Sequence, residues 1–196
     1  MKARDAVLGA LRAQSLPKVE LPALTGDWIH YPDLVGQFGA ALGRAAGTLV
    51  ELPGGADLAR SVAELAVVRR AQRWCSFVEQ VPGNSALPLE PHGYSDVDVV
   101  LAAAEFGVAE NGAVWIDERQ VPERAGLFLA QHLVVLLRRA ELVAHLHHAY
   151  TRLGARLGQK GYGCFISGPS KTADIEQALV VGAHGPRSLT LMLHAD

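Results

Sequence analysis

The sequence predicts an α/β domain, a mostly parallel sheet flanked by helices, preceded by an N-terminal helix and an extended arm. Three observations carry this. From residue 48 onward, short apolar segments alternate with segments whose apolar residues recur at helical spacing. His132-Leu-Val-Val-Leu-Leu137 is a continuous apolar run, the pattern of a parallel strand covered on both faces. No internal repeat or low-complexity tract interrupts the alternation.

Taken in order, residues 3–14 form an amphipathic helix with Val7, Leu8 and Leu11 on one side. Pro17 and Pro22 break the period, so 15–31 is read as an extended arm, and Pro32 opens a second helix through 46. Residues 1–46 are thus a lead-in of helix, arm and helix, and 47–196 form the α/β domain within a single globular unit. A strand over 48–53 is followed by a helix over 57–73, where Leu58, Val62, Leu65 and Ala66 share a buried face. A weak strand over 76–81, a loop at Gly83-Asn84-Ser85 and a helix over 95–104 follow. Strand segments at 106–109 and 113–116 then flank Glu110-Asn111-Gly112. After the run at 132–137, Leu142, Leu146, Ala149, Leu153 and Leu157 stack as a helix over 141–157, closed by Gly158 and Gly161. The last strands are 162–167 and 189–193.

Length and composition exclude several classes. The chain has 196 residues, 49% of them hydrophobic and 19% charged, enough for one domain that buries roughly 70% of the surface its unfolded form exposes. A net charge of −2 gives no general attraction to nucleic acid or to an anionic membrane. No segment approaches the length of a membrane span, and the N-terminus lacks a sustained apolar block, so a cytoplasmic location is expected. Cys75 and Cys164 are far apart, in no Cys-x-x-Cys arrangement, and are read as reduced core thiols rather than ligands of zinc or an iron–sulfur cluster. The eight histidines suggest no metal site either, since only His145 and His148 share a helix side. Arg60 with Glu64, and Arg69, Arg70 and Arg73, read as a solvated helix face. Trp28, Trp74 and Trp115 are too scattered for a base-stacking platform and belong to the core or an interface.

The chemistry concentrates between Cys164 and Pro186. Ser167 ends a strand, Gly168-Pro169 forces a turn, and Thr172 is placed to cap a helix from Ala173 to Gly182, leaving Ser170, Lys171 and Thr172 at the carboxyl end of a strand. Gly163-x-x-x-x-Gly168 is not a phosphate loop, because Pro169 removes an N–H donor and displaces Lys171 by two positions. Lys171 and the first N–H groups of that helix would attract a carboxylate or phosphate. Asp174 and Glu176 oppose such an anion, and serve equally well as first-turn acids of a purely structural cap.

The motifs Ile166-Ser-Gly-Pro-Ser-Lys-Thr-Ala-Asp-Ile-Glu176, Leu179-Val-Val-Gly-Ala-His-Gly-Pro186 and Val108-Ala-Glu-Asn-Gly112 resemble those of the lactate-utilisation protein C family, single-domain members of the LUD group. The likeness runs from about residue 48 to the end, with Asn111 where the family usually has Thr. It implies the fold shared by glucosamine-6-phosphate deaminase, ribose-5-phosphate isomerase and CoA transferases. It also implies a part in oxidising L-lactate to pyruvate beside iron–sulfur partner proteins. The residue inventory adds a constraint: the chain has no dinucleotide fingerprint, flavin signature or cluster-forming cysteines, so no cofactor is expected on this chain alone.

The expectation is a subunit or accessory protein that supplies a small-carboxylate pocket from Glu110, Asn111, Gly112, Ser167, Gly168, Ser170, Lys171, Thr172, Asp174, Glu176 and His184. Two other readings stand beside it. In one, the chain is an independent enzyme on the CoA-transferase or sugar-phosphate-isomerase pattern with Glu110 as nucleophile or base; Ala109 stands where the transferases carry serine. In the other, it binds a metabolite without chemistry.

Overall fold

In the computed structural model, residues 3–14, 19, 26, 28–158, 161–172 and 179–195 are described. Helix α1 (Ala3–Ala13) buries none of its residues. Helix α2 (Leu34–Arg44) begins where Asp33 accepts a hydrogen bond from the Gly36 N–H at 2.8 Å, the usual service of an aspartate at a helix start. Its Phe38 and Leu42 are fully buried.

Five strands form one sheet in the order β1 (Thr48–Glu51), β11 (Ser188–His194), β6 (His132–Arg138), β3 (Val99–Ala103), β2 (Trp74–Ser76), with every pairing parallel. Alternation along these strands assigns the two faces. Val99, Leu101, Val134, Leu136 and Met192 pack with Val62 of α3 (Leu58–Ala63) and Val68 of α4 (Ala66–Arg70). Val100, Ala102, Leu133, Val135, Leu137, Leu189, Leu191 and Leu193 pack on the other side with Phe38 and Leu42. Each such side chain stabilises the fold by roughly 1.5–3 kcal/mol on leaving water, which is why the central strands tolerate almost no polar residue.

That second face is covered largely by another sheet, in the order β7 (Leu142–Val143), β4 (Phe106–Val108), β5 (Ala113–Asp117), β8 (Gly163–Ile166). Its β4–β5 and β5–β8 pairs are antiparallel. Val114 and Ile116 of β5 join the main core, while Phe106 and Val108 of β4 face away, against Ala149 and Leu153 of α6 (Leu146–Leu153). The layers are therefore α3–α4, the parallel sheet, α2 with the second sheet, and α6. A short helix α5 (Gly126–Leu129) precedes β6, and β9 (Lys171–Thr172) pairs antiparallel with β10 (Val180–Val181).

Five expectations are corrected. The helix over 95–104 is strand β3, preceded by a 3₁₀ turn at Pro91–Asp96: Val-Val-Leu-Ala-Ala suits either periodicity, and burial on both faces selects the strand. The helix over 57–73 breaks at Leu65, whose ψ of 133° is extended. In one continuous helix Val62 and Val68 would lie about 120° apart, and the break lets both bury against the sheet. The weak strand at 76–81 lies earlier, as β2, and the chain turns where Val81 N–H meets Val78 O. The helix over 141–157 begins only at Leu146, because Leu142 and Val143 pair with Gly107 and Val108. Thr172 pairs with Val180 and Lys171 with Val181, so the end of the expected 173–182 helix is strand, and residues 173–178, with the expected cap, lie outside the described residues.

Candidate functional site

The turn between β4 and β5 is built by its own residues. Asn111 Oδ1 accepts from the Ala113 N–H at 3.0 Å, and the Gly112 N–H donates to Val108 O at 2.9 Å. Gly112 has φ +68°, and a Cβ there would sit 2.3 Å from the Leu42 backbone nitrogen, so both conformation and space require glycine. Glu110 turns the other way. Its Oε2 accepts from the Leu146 N–H at 2.9 Å, at the amino end of α6, and lies 3.9 Å from His145 Nδ1. His145 is buried and precedes α6 rather than lying on it; its Nε2 reaches Ile29 O at 2.5 Å, while His147 stacks on Trp28.

The turn after β8 is tied to that first turn. Ser167 Oγ donates to Asn111 O at 3.0 Å. Gly168, at φ +74°, presses so closely on α2 that a Cβ would lie 2.0 Å from Ala45 O. The Ser170 N–H then donates to Pro186 O, and the Gly182 N–H to Ser170 O, which draws the 179–186 motif back over the turn.

Between them is a cavity of about 290 Å³, lined by Ser167, Gly168, Ser170, His184 and Gly185 with Leu127, Leu133, Phe165 and Leu189 among its apolar walls. Leu133 and Leu189 are the second residues of β6 and β11, so the cavity stands at the amino ends of these parallel strands, while Phe165, Ile166 and Ser167 bring the carboxyl end of β8 to it, the strand end at which the local pattern places Ser170. Two hydroxyls and an exposed imidazole face a largely apolar hollow, an arrangement that suits a small ligand with one polar end. Lys171 is exposed and Thr172 half-buried on β9, and neither lines the cavity. Glu110, Asn111 and Gly112 do not line it either, although Asn111 O holds Ser167. Asp174 and Glu176 lie outside the described residues.

Sequence reasoning missed two polar groupings. His132 Nδ1 and Ser188 Oγ share a 2.8 Å hydrogen bond across β6 and β11, each one residue before a cavity wall residue. Burial and then the charge of Arg187 push the His132 imidazole down, while Asp98 works the other way. The second is an ion-pair network at the far end of the second sheet. Glu105 accepts from Arg156 Nη1 and Nη2 at 2.9 and 2.8 Å and from Arg119 at 2.7 Å, and Arg119 also grips Asp117. Burial alone would raise the Asp117 carboxyl; hydrogen bonds from the Arg119 side chain and N–H, with the charges of Arg119 and Arg156, hold it low instead. Acids and arginines clustered at the ends of β4, β5 and α6 were the available signal. Both thiols are unpaired, and burial pushes each up. Among the described residues, no three His, Cys, Asp or Glu side chains gather to hold a metal ion, and no helix is long and apolar enough to cross a membrane.

Residues 93–193 match the LUD domain family. The chain is 32% identical over 142 residues to the YkgG protein of Escherichia coli (strain K12), covering 68% of this chain and 58% of that protein. It is 35% identical over 97 residues to lactate utilization protein C of Bacillus pumilus (strain SAFR-032), covering 47% of this chain and 40% of that protein. The chain thus spans about half the length of these relatives. A crystal structure of a DUF162 family protein from Deinococcus radiodurans superposes with a TM-score of 0.63 at 16% identity, covering 83% of this chain and 96% of that one, a likeness of fold.

Proposed function

Because the chain belongs to the LUD domain family, we propose that it acts in L-lactate utilisation, as the component that binds a small carboxylate for a redox assembly whose electron-carrying centres reside on iron–sulfur partner proteins. One observation carries this reading. Two of the three motifs that resemble lactate-utilisation protein C, 166–176 through its residues 166–170 and 179–186 through its residues 184–186, meet around a single cavity and supply polar side chains to it through Ser167, Ser170 and His184. Relatives named lactate utilization protein C support the metabolic setting. The apolar walls suit a short carbon chain, and the hydroxyls and imidazole suit its carboxylate.

Geometry favours this over the covalent reading of Glu110. A glutamate nucleophile must present a free carboxylate to an acyl group, whereas the Oε2 of Glu110 is engaged with the Leu146 N–H. The proposal is tested by deleting the gene in its native host and measuring growth on L-lactate, with affinity capture of the full chain from lactate-grown cells. The expected result is impaired growth restored by the intact gene, and co-purification of iron–sulfur proteins. Normal growth without a compensating paralogue overturns the lactate reading, and capture of no iron–sulfur protein overturns the partnership.

A further inference from the structure

One edge of β8 carries a row of unbonded backbone groups. Opposite residues of an antiparallel pair alternate between exchanging hydrogen bonds and exchanging none. The Glu118 N–H donates to Tyr162 O at 3.0 Å, so in the β5–β8 register Ile116 with Cys164 and Val114 with Ile166 are the bonded pairs. By the same alternation Gly163, Phe165 and Ser167 turn their N–H and C=O groups away from β5. β8 is the last strand of its sheet, and among the described residues no hydrogen bond uses these outward groups. Buried backbone groups are almost always paired, and residues 163–167 are only half-buried, so this edge meets solvent.

Such edges are usually guarded by charge, by proline within the strand or by a covering element. None of residues 161–170 is charged, and Pro169 comes only after the strand has ended. The edge runs directly into the motif cavity, which Phe165, Ile166, Ser167 and Ser170 help to line. We propose that β8 takes an extended peptide as a further strand of the second sheet, and that this peptide ends at the motif cavity with an apolar last residue and a free α-carboxylate.

The order of the groups fixes the direction. The hydroxyl-bearing turn 167–170 follows β8, so a peptide whose carboxylate reaches it runs parallel to the strand. In a parallel ladder the bonds slant, and each bonded residue lies between two residues of its neighbour. The last residue of the peptide then lies beside Ile166, its N–H donating to Phe165 O and its carboxylate accepting from the Ser167 N–H. Side chains that neighbour one another across a sheet share a face, and Ile166 packs toward the main core. The last side chain therefore enters the cavity on the side of Leu133 and Leu189, while Ser170 and His184 meet the carboxylate. A volume of about 290 Å³ holds one aliphatic side chain with its carboxylate. Main-chain bonds along an edge with one side-chain pocket are a recurrent mode of peptide recognition.

This inference rests on the reading of the cavity as a carboxylate site, and a carboxylate on a short apolar skeleton is the chemistry of a peptide end as much as of a free acid. The test is amide NMR and calorimetric titration of the full chain with three probes: N-acetyl-Ala-Ala-Val as the free acid, the same peptide as its carboxamide, and L-lactate. The free acid should bind saturably, with the amide shifts of Phe165 and Ser167 among the largest. The carboxamide should bind roughly tenfold or more weakly, the scale of one charge-assisted hydrogen bond. N-methylation of the terminal Val, which removes the donor to Phe165 O, should weaken the free acid roughly threefold to tenfold. Lactate binding without peptide binding overturns this inference and leaves the lactate reading standing. Peptide binding without lactate binding does the reverse, and saturable binding of neither overturns both. Equal affinity for acid and carboxamide, or shifts that spare Phe165 and Ser167, also overturns the proposal.

Discussion

Glu110 Oε2 accepts a hydrogen bond from the Leu146 N–H at 2.9 Å, tying the β4–β5 turn to the first residue of α6. A carboxylate at a helix amino end satisfies an orphan donor and meets the positive end of the helix dipole. Glu110→Ala should therefore lower unfolding free energy by about 0.5–1.5 kcal/mol in urea denaturation. Glu110→Gln, which keeps an acceptor but loses the charge, should cost roughly 0.3–1 kcal/mol. Incubation with acyl-CoA and borohydride should trap no adduct on Glu110. A trapped glutamyl species in mass spectrometry, or Ala and Gln variants as stable as wild type, would contradict the capping role.

Gly168 and Ala45 make the tightest contact of the motif region, and Gly112 makes the equivalent approach to Leu42 one turn earlier in the same helix. Gly168→Ala combines a left-handed φ with a backbone clash, two penalties of about 1–3 kcal/mol each that structural relaxation will partly relieve. The expected loss is at least about 2 kcal/mol, read as a lowered Tm and urea midpoint. An unchanged midpoint would mean that the turn can move off α2.

These relationships mark where the sequence was legible. The central strand at 132–137 could be read because continuous apolar burial suits only a covered strand or a buried helix, and its length and flanks excluded the helix. The hairpin at Glu110-Asn111-Gly112 could be read because Asn-Gly chemistry is local. Val99-Val100-Leu101 misled because Ala102 and Ala103 continue a pattern that a helix accepts equally, and only the neighbouring strands β2 and β6 decide the matter. Ser167, Ser170 and His184 were recognisable as a group through their motifs. Their setting at the amino ends of β6 and β11 was not, since it depends on β8 joining the second sheet rather than the first. The His132–Ser188 bond and the Glu105 network are products of long-range register, to which no local pattern points.

The His132–Ser188 pair predicts a pH dependence with a definite sign. The His132 imidazole is held below its ordinary value of 6.5 in the folded chain, chiefly by burial. Between that native value and 6.5 the unfolded chain binds more protons, so stability rises with pH across the window. The contribution is complete above about pH 6.5 and is lost as pH falls through the lower native value. His132→Gln should flatten this part of the stability curve in urea titrations at stepped pH. Asp117 acts in a separate window: its carboxyl lies below the ordinary 3.8, and its contribution disappears only as pH falls through that lower range. An unaltered slope near pH 6 in the His132 variant would show that another group carries the effect.

The motif cavity makes the last prediction, which separates contact from long-range charge. Ser170 lines the cavity and its backbone is fixed from both sides, by Pro186 O and the Gly182 N–H. Removing only its hydroxyl should leave the fold intact and delete one hydrogen bond to a bound carboxylate. Lys171 is exposed on β9 and stands outside the wall, so its ammonium acts on an anion through solvent and is screened by salt. In calorimetric titration with L-lactate, Ser170→Ala should weaken binding by about 0.5–1.5 kcal/mol, with little dependence on ionic strength. Lys171→Ala should cost less than about 1 kcal/mol at low salt and almost nothing at high salt. A larger, salt-resistant loss in Lys171→Ala would place the ammonium in direct contact with the ligand, drawn over the cavity mouth by β9. Wild-type affinity in Ser170→Ala would remove that hydroxyl from the site and shift the anchoring role to Ser167 and His184.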